Sequence, residues 1–235
     1  MMIEVLFGEV CNLCGDGQNA VYLHQTLPEA EFVETALDET PRFVSQRPDI
    51  LLLGSMTEAM QRRVIAKLMP YRQRIFDLIE DGVVFLATGN ACEIFAKHID
   101  YVTEELEMDG LGLFDLTVRN DLFKRYNGKF LGDVEEIPVV GFRSQFAFLY
   151  GDNSHCYFAR NQRSIGINPK TDLEGLRYKN FIGTQVLGPI LPLNPLFTEY
   201  LVKLAGGDAP AAFRPAAMDA YEQRLREFQD PETKF

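Results

Sequence analysis

The segment Val84-Phe85-Leu86-Ala87-Thr88-Gly89-Asn90-Ala91-Cys92-Glu93-Ile94 reads as an apolar strand, a tight turn of small residues and the start of a helix. Such an elbow lifts the residue at its tip out of the carboxyl edge of a sheet, toward the backbone N–H groups of the turn that follows. In open α/β sheets that edge is where ligands bind. The tip here is Gly89, which has no side chain. Cys92 follows about one helical turn later and is a candidate nucleophile. Cys11-x-x-Cys14 precedes Gly15 and Asp16. A helix N-terminus there could lower a thiol pKa for redox work, but a single CxxC is only half a zinc site, and two packed thiols is the plainer reading. His155-Cys156 are adjacent, yet neighbours on a strand point to opposite faces, which makes a poor dyad. His24, His98 and His155 are too scattered for a metal trio. No metal or cofactor is expected, and no Walker-type loop is present.

The elements that must position these residues alternate in the first half, as βαβ units do. Ile3–Phe7 predicts a strand, Asp16 a cap for a helix to about Gln25, and Glu31–Ala36 a second strand. Asp49–Gly54 and Val83–Thr88 are continuously apolar, as strands buried on both faces are. Ser55 is positioned to cap a helical stretch to Asp81, broken near Pro70, and a helix is expected at about Cys92–His98. Glu104–Asp109 reads as a solvated acidic helix face or a patch that steers a basic partner. Beyond Gly112 the runs shorten: Leu116–Arg119, Lys129–Val134, Val139–Phe148, His155–Arg160 and Tyr178–Val186 predict antiparallel or mixed strands. Helices at Asn194–Leu204 and Ala216–Phe228 close the chain, the latter with Met218, Tyr221, Leu225 and Phe228 on one stripe.

The 235 residues carry a net charge of −11 and are 46% hydrophobic, which suits one folded domain spanning 1–235 and argues against a nucleic-acid partner. The longest uncharged run, Asn180–Thr198, holds Pro189, Pro192 and Pro195, so it is not expected to span a membrane. Glu4 and Glu9 near the N-terminus do not suit a signal peptide. Four cysteines without one suit a reducing cytoplasm.

The elbow resembles a known pattern. In class I glutamine amidotransferases the same place reads Cys-Gly-Gly-Tyr-Gln, and Gly89-Asn90-Ala91-Cys92-Glu93 aligns with it. Asn12-Leu13-Cys14-Gly15-Asp16-Gly17-Gln18-Asn19 resembles the Asn-Leu-Tyr-Gly-Asp-x-x-Asn that opens one branch. Gly110–Asp115 resembles its Gly-Leu-Gly-Leu-Leu-Asp, and Pro138–Phe142 resembles the approach to its Gly-Phe-Glu-Asn-His. Tyr178–Thr184 and Gly188–Pro195 resemble its Gly-Thr-Tyr-Leu-His-Gly-Pro-Leu-Leu-Pro-Lys-Asn-Pro segment. The order matches from about residue 5 to residue 205. This is the cobyric acid synthase and lipid II isoglutaminyl synthase glutaminase branch, found in cobalamin biosynthesis and in peptidoglycan (lipid II) amidation. The resemblance implies a flavodoxin-like α/β fold: a mostly parallel sheet flanked by helices, with added antiparallel strands in the second half.

It also implies a thiol, an imidazole and oxyanion donors, because glutamine hydrolysis needs all three. This chain departs at each. Gly89 stands at the nucleophile position and Leu187 at the histidine position; Gly54-Ser55-Met56 replaces the Gly-rich loop, and Gly141-Phe142-Arg143-Ser144-Gln145 replaces Gly-Phe-Glu-Asn-His. Losing the nucleophile or the base alone costs a serine protease about a millionfold. The expectation is a pseudo-glutaminase whose remnant pocket holds Gly54, Ser55, Gly89, Asn90, Ala91, Cys92, Arg143, Gln145 and Leu187. It would bind a small ligand there or serve a Mur-ligase-like synthetase subunit. The alternatives are an amidase relocated to Cys92 and a CxxC thiol or metal protein.

Overall fold

The computed structural model describes residues 1–233. Its central sheet has the strand order β13-β14-β4-β3-β1-β2. It is formed by β1 (Met2–Leu6), β2 (Glu31–Thr35), β3 (Ile50–Leu53), β4 (Val84–Thr88), β13 (Leu176–Tyr178) and β14 (Phe181–Thr184). All pairings are parallel except β13 with β14. The continuous apolar runs have the cause anticipated: Leu51, Leu53, Phe85 and Ala87 enter one core, and Ile50, Leu52, Val84 and Leu86 the other. Successive side chains alternate between faces, so a sheet covered on both sides needs no polar positions. On the first face lie α2 (Glu58–Leu68) and α3 (Arg72–Glu80); on the second, α1 (Gly17–Thr26) and α5 (Pro195–Leu204).

The second half forms two further four-stranded sheets rather than one appendage. The first is β10 (Ala147–Tyr150), β7 (Phe114–Asn120), β5 (Ala96–Tyr101) and β6 (Leu106–Asp109), in that order. The second is β12 (Leu173–Glu174), β11 (Ala159–Asn161), β8 (Tyr126–Val134) and β9 (Ile137–Gln145). The short helix α4 (Ile190–Leu193) leads into α5, and α6 (Arg214–Gln229) places Tyr221 and Phe228 on Leu131 and Val140 of the last sheet, with Met218 and Leu225 packed alongside.

Several sequence expectations need correction. Gly89–Phe95 is a 3-10 segment, and the expected helix at Cys92–His98 gives way to β5. Ala91 to Phe95 are all buried, and Phe95 packs 4.4 Å from Phe181 and 5.1 Å from Phe85, centroid to centroid. A segment enclosed on every side cannot present the polar face of a surface helix. Glu104–Asp109 is no helix face either: it turns into β6, an edge strand whose Glu107 and Asp109 flank His98. Val139–Phe148 divides into β9 and β10, and His155-Cys156 lies in a turn before β11.

One buried acid ties the amino-terminal strand to its surroundings. Glu4 is fully buried on β1 and accepts from the Thr35 hydroxyl at 2.6 Å and from the backbone N–H groups of Arg42 and Phe43 at 2.6 and 2.8 Å. Removing it strands three donors, each of which costs when buried unpaired. Glu4→Ala should lower the unfolding free energy by about 3 kcal/mol or more. Urea titration of the variant reads this directly, and a loss under 1 kcal/mol would mean water replaces the carboxylate.

Candidate functional site

The parallel register brings three strand ends together: Leu53 opposite Ala87, and Thr88 opposite Thr184. The residues that follow these strands, Gly54-Ser55, Gly89 and Gln185, therefore emerge side by side at the carboxyl edge. A fourth wall arrives by an isolated antiparallel bridge. The Phe142 and Leu187 N–H groups each donate to the other's carbonyl, at 3.0 and 2.7 Å, and this brings the end of β9 to the elbow.

Gly89 has φ +58°, the left-handed region that L side chains rarely adopt. A Cβ built there would lie 2.5 Å from the Ser55 Cβ and 3.0 Å from a Leu187 δ-carbon. The elbow geometry is present, but the room for a side chain at its tip is filled by Ser55 and Leu187. Gly54 is also obligatory, because a Cβ would fall 2.1 Å from the Cys11 carbonyl oxygen.

Both residues expected to cap helices are used here instead. Thr57 caps α2 through the Met60 N–H at 3.3 Å. The Ser55 hydroxyl donates to the Leu13 carbonyl, while its N–H donates to Asp16 Oδ2 at 2.8 Å. The same oxygen accepts from the Thr88 hydroxyl at 2.8 Å. Burial pushes the Asp16 carboxyl up, and these two bonds pull it back. Asn90 clamps the Met56 backbone in both directions, accepting at 2.9 Å and donating at 2.8 Å.

Beneath the elbow lies a buried polar layer. Glu93 accepts from the side-chain amides of Gln61 at 2.9 Å and Gln185 at 2.8 Å. Gln61 accepts in turn from the Tyr101 hydroxyl at 2.7 Å. Desolvation pushes the Glu93 carboxyl up to about 8, against the pull of the two amides, so near neutral pH it is mostly uncharged. Glu174, also raised by burial, accepts from the Gln185 N–H and the Thr184 hydroxyl. The facing cation is Arg143, which is 1% exposed and lowered by desolvation. It donates to Gln145 and to the carbonyls of Ile165 and Gly166, and leaves one terminal nitrogen unpaired.

A cleft of about 220 Å³ opens at this edge. Of the residues singled out from sequence, Ser55, Gly89, Asn90, Gln145 and Leu187 line it. Gly54, Ala91, Cys92 and Arg143 do not. Cys92 has no exposed surface, and its thiol is pushed well up by burial, then by Glu93 and Glu174. It can neither reach a substrate nor ionise readily, so the relocated nucleophile is set aside. Cys11 is buried, pushed up to about 12 by desolvation, and lies 3.8 Å from the Met56 sulfur. Cys14 is exposed on the cleft wall and raised by partial burial and Asp16, with Arg125 pulling the other way. The reading of two packed thiols holds for Cys11 and is corrected for Cys14, which is exposed; its thiol is raised, not lowered as the redox alternative would need. Among the described residues no three His, Cys, Asp or Glu gather into a metal-sized cluster.

The cleft also holds residues that sequence reasoning missed. Asn120, at the end of β7, is 3% exposed and its side-chain amide makes no hydrogen bond among the described residues. Arg125 donates to the Ser144 hydroxyl at 2.9 Å and is in no ion pair among the described residues. Glu58 stands on the same wall. Their signal was weak: each is an ordinary polar residue at a strand end or helix start.

Comparison with solved structures matches this fold. A crystal structure of a glutamine amidotransferase superposes with a TM-score of 0.56, covering 87% of this chain and 98% of that one, at 17% identity. A glutamine amidotransferase from Thermotoga maritima gives 0.51 over 97% and 90%, at 10% identity. The chain has the glutamine amidotransferase fold. By sequence it is similar to the lipid II isoglutaminyl synthase (glutamine-hydrolyzing) subunit GatD of Staphylococcus aureus, 26% identical over 88% of this chain and 85% of that protein. The GatD subunit of Streptococcus pneumoniae is 24% identical over 99% and 92%. No family model matches.

Two outcomes follow from this amidotransferase-like edge. Gly89→Ala should destabilise the protein by about 2 kcal/mol, from the left-handed backbone and the Ser55 contact together. Ser55→Gly in the same chain should recover part of the loss. Equal urea midpoints for parent and Gly89→Ala would mean the turn relaxes freely. The second outcome concerns Glu93. With its carboxyl raised from 4.5 to about 8, the folded chain keeps a proton that the unfolded chain releases, so the contribution is full below about pH 4.5 and lost as pH rises through 8. Asp16 and Glu174 act in the same sense, so the difference between parent and Glu93→Gln is the informative quantity. The variant's stability should fall less steeply between pH 5 and 8; parallel profiles from urea unfolding at several pH values would refute it.

Proposed function

We propose that this chain is a catalytically inactive glutaminase-like subunit, retained for binding rather than for amide hydrolysis. The observation that carries the reading is the closed space at the elbow: a side chain at residue 89 would meet Ser55 at 2.5 Å and Leu187, to which the resemblance gives the place of the base, at 3.0 Å. Without a thiol at 89 and an imidazole at 187 the family's thioester route has neither nucleophile nor base, and among the described residues no cysteine on the cleft wall is paired with a histidine. Cys92 is enclosed, and the exposed Cys14 has no histidine on the cleft wall to take its proton.

The cleft nevertheless keeps binding groups. Arg125 and the Asn120 amide suit a carboxylate, and Glu58 suits a donor such as an ammonium, so a small polar ligand fits its dimensions. The similarity to GatD subunits supports a role beside a Mur-ligase-like amidating subunit acting on lipid II in the cytoplasm, where the four free cysteines would stay reduced. The purified chain should release no ammonia from glutamine above buffer background, alone or with such a synthetase. Gly89→Cys with Leu187→His should stay inactive, since Met56, Arg143 and Gln145 leave the surroundings unrestored. Turnover by the parent in a coupled ammonia assay would overturn the reading, and strong turnover by the double variant would confine the loss to two residues.

A further inference from the structure

In the central sheet β1 lies between β3 and β2. The chain leaves β1 through α1 on the second face to reach β2, and leaves β3 through α2 and α3 on the first. The gap between the carboxyl ends of β1 and β3 is therefore the topological switch point, the crevice in which open α/β sheets bind ligands. A cavity of about 30 Å³ lies there, lined by Val5 of β1, Leu52 and Leu53 of β3, Thr88 of β4, and Asp16 and Asn19 beside α1. It shares no residue with the cleft at the elbow. Its side chains offer three acceptors. Asp16 is 4% exposed, and its Oδ1 has no hydrogen-bond partner among the described residues. The Thr88 hydroxyl gives its proton to Asp16 Oδ2 and keeps its lone pairs. Asn19 Oδ1 accepts from the Leu191 N–H at 2.9 Å and has a second lone pair.

Val5, Gly8, Gly17 and Ala20 line both this cavity and a wider groove of about 340 Å³, so the two meet at a neck of small residues. Val21, Phe32 and His24 wall the groove, and Glu34 stands exposed at its rim, in no ion pair among the described residues. No lysine or arginine lines either space. We propose that this crevice is a binding site for a primary alkylamine. The ammonium seats against Asp16, Thr88 and Asn19, the methylene stem runs through the neck, and Glu34 receives the second ammonium of a diamine. The size of the cavity restricts its occupant to one group about as large as a water molecule. An ammonium is such a group, and its three N–H donors with no acceptor match three facing acceptors. An anion would meet Asp16 and Glu34 with no lysine or arginine to offset them. A hydrocarbon would leave Oδ1 buried and unpaired, which is costly. The site stands apart from the elbow, so it does not depend on whether the cleft hydrolyses glutamine.

Isothermal titration of the full chain with butylamine and with 1,4-diaminobutane, both as hydrochlorides, tests the site. Saturable binding of both is expected, tighter for the diamine. Butyltrimethylammonium, which has no N–H and too large a head for the cavity, should not bind. Asp16→Asn should weaken both amines about tenfold or more. Because Asp16 also holds two loops, a second variant leaves it untouched. A Cβ at Gly8 meets only Val5, at an ordinary 3.5 Å, so Gly8→Leu should fill the neck and abolish binding while the urea midpoint is kept. Glu34→Gln should weaken the diamine and leave butylamine unchanged. Glu58→Gln, on the cleft wall, should alter neither. Binding that survives Gly8→Leu and is lost in Glu58→Gln would overturn the proposal in favour of an amine held in the cleft. Equal binding of butyltrimethylammonium would reduce the site to an unspecific acidic groove. No heat at millimolar amine, with a crystal structure showing one water on Asp16 Oδ1, would refute it outright. A glutaminase assay of the same preparations reads the cleft separately, so either reading can fail without the other.

Discussion

The geometry of the cleft depends on one buried carboxylate oxygen. Asp16 Oδ2 receives both the Ser55 N–H and the Thr88 hydroxyl, and thereby joins the loop after β1, the loop after β3 and the end of β4. Holding a carboxylate out of water is costly unless donors compensate; here Oδ2 has two, from the loop after β3 and the end of β4, while Oδ1 has none among the described residues. The constraint runs outward from there. Ser55 is fixed against residue 89, Asn90 locks onto Met56, and Glu93 is drawn beneath them between two glutamine amides. The site is rigid because its walls share hydrogen bonds, whatever chemistry those walls support.

Much of the fold was legible in the sequence, for identifiable reasons. The runs Ile50–Leu53 and Val84–Leu86 announced strands covered on both faces because such strands have no place for a polar residue. Gly89 announced the elbow because few residues other than glycine tolerate positive φ. Other features were hidden. Asp16 and Ser55 have the composition of helix caps, and only the spatial meeting of loops 39 residues apart shows that they bond each other. Gly89–Phe95 begins as a helix would, but the burial of nearly every residue in it, decided by Phe181 from the far end of the chain, leaves no solvent face.

Within the site, legibility followed proximity to a motif. Gly89, Asn90 and Leu187 were found because they lie in segments whose order resembles a known family. Asn120 and Arg125 were missed because they reach the cleft through β7 and the loop after it, in a sheet whose pairing no local pattern foretells. Cys92 and Arg143 were placed in the pocket by their alignment with the family's motifs, and the structure buries both: Arg143 turns inward to the carbonyls of Ile165 and Gly166, near Glu174.

The contact between Ser55 and the empty position at residue 89 also bears on history. A lineage that loses a nucleophile can in principle regain it by one codon change. Here the space beside residue 89 is shared by the Ser55 β-carbon and the Leu187 side chain, so cysteine alone would arrive in a collision. A side chain at residue 89 therefore calls for accompanying changes at Ser55 and Leu187, which follow two other strands. The packing at the elbow thus acts as a ratchet: any side chain added at its tip must wait for changes in its neighbours.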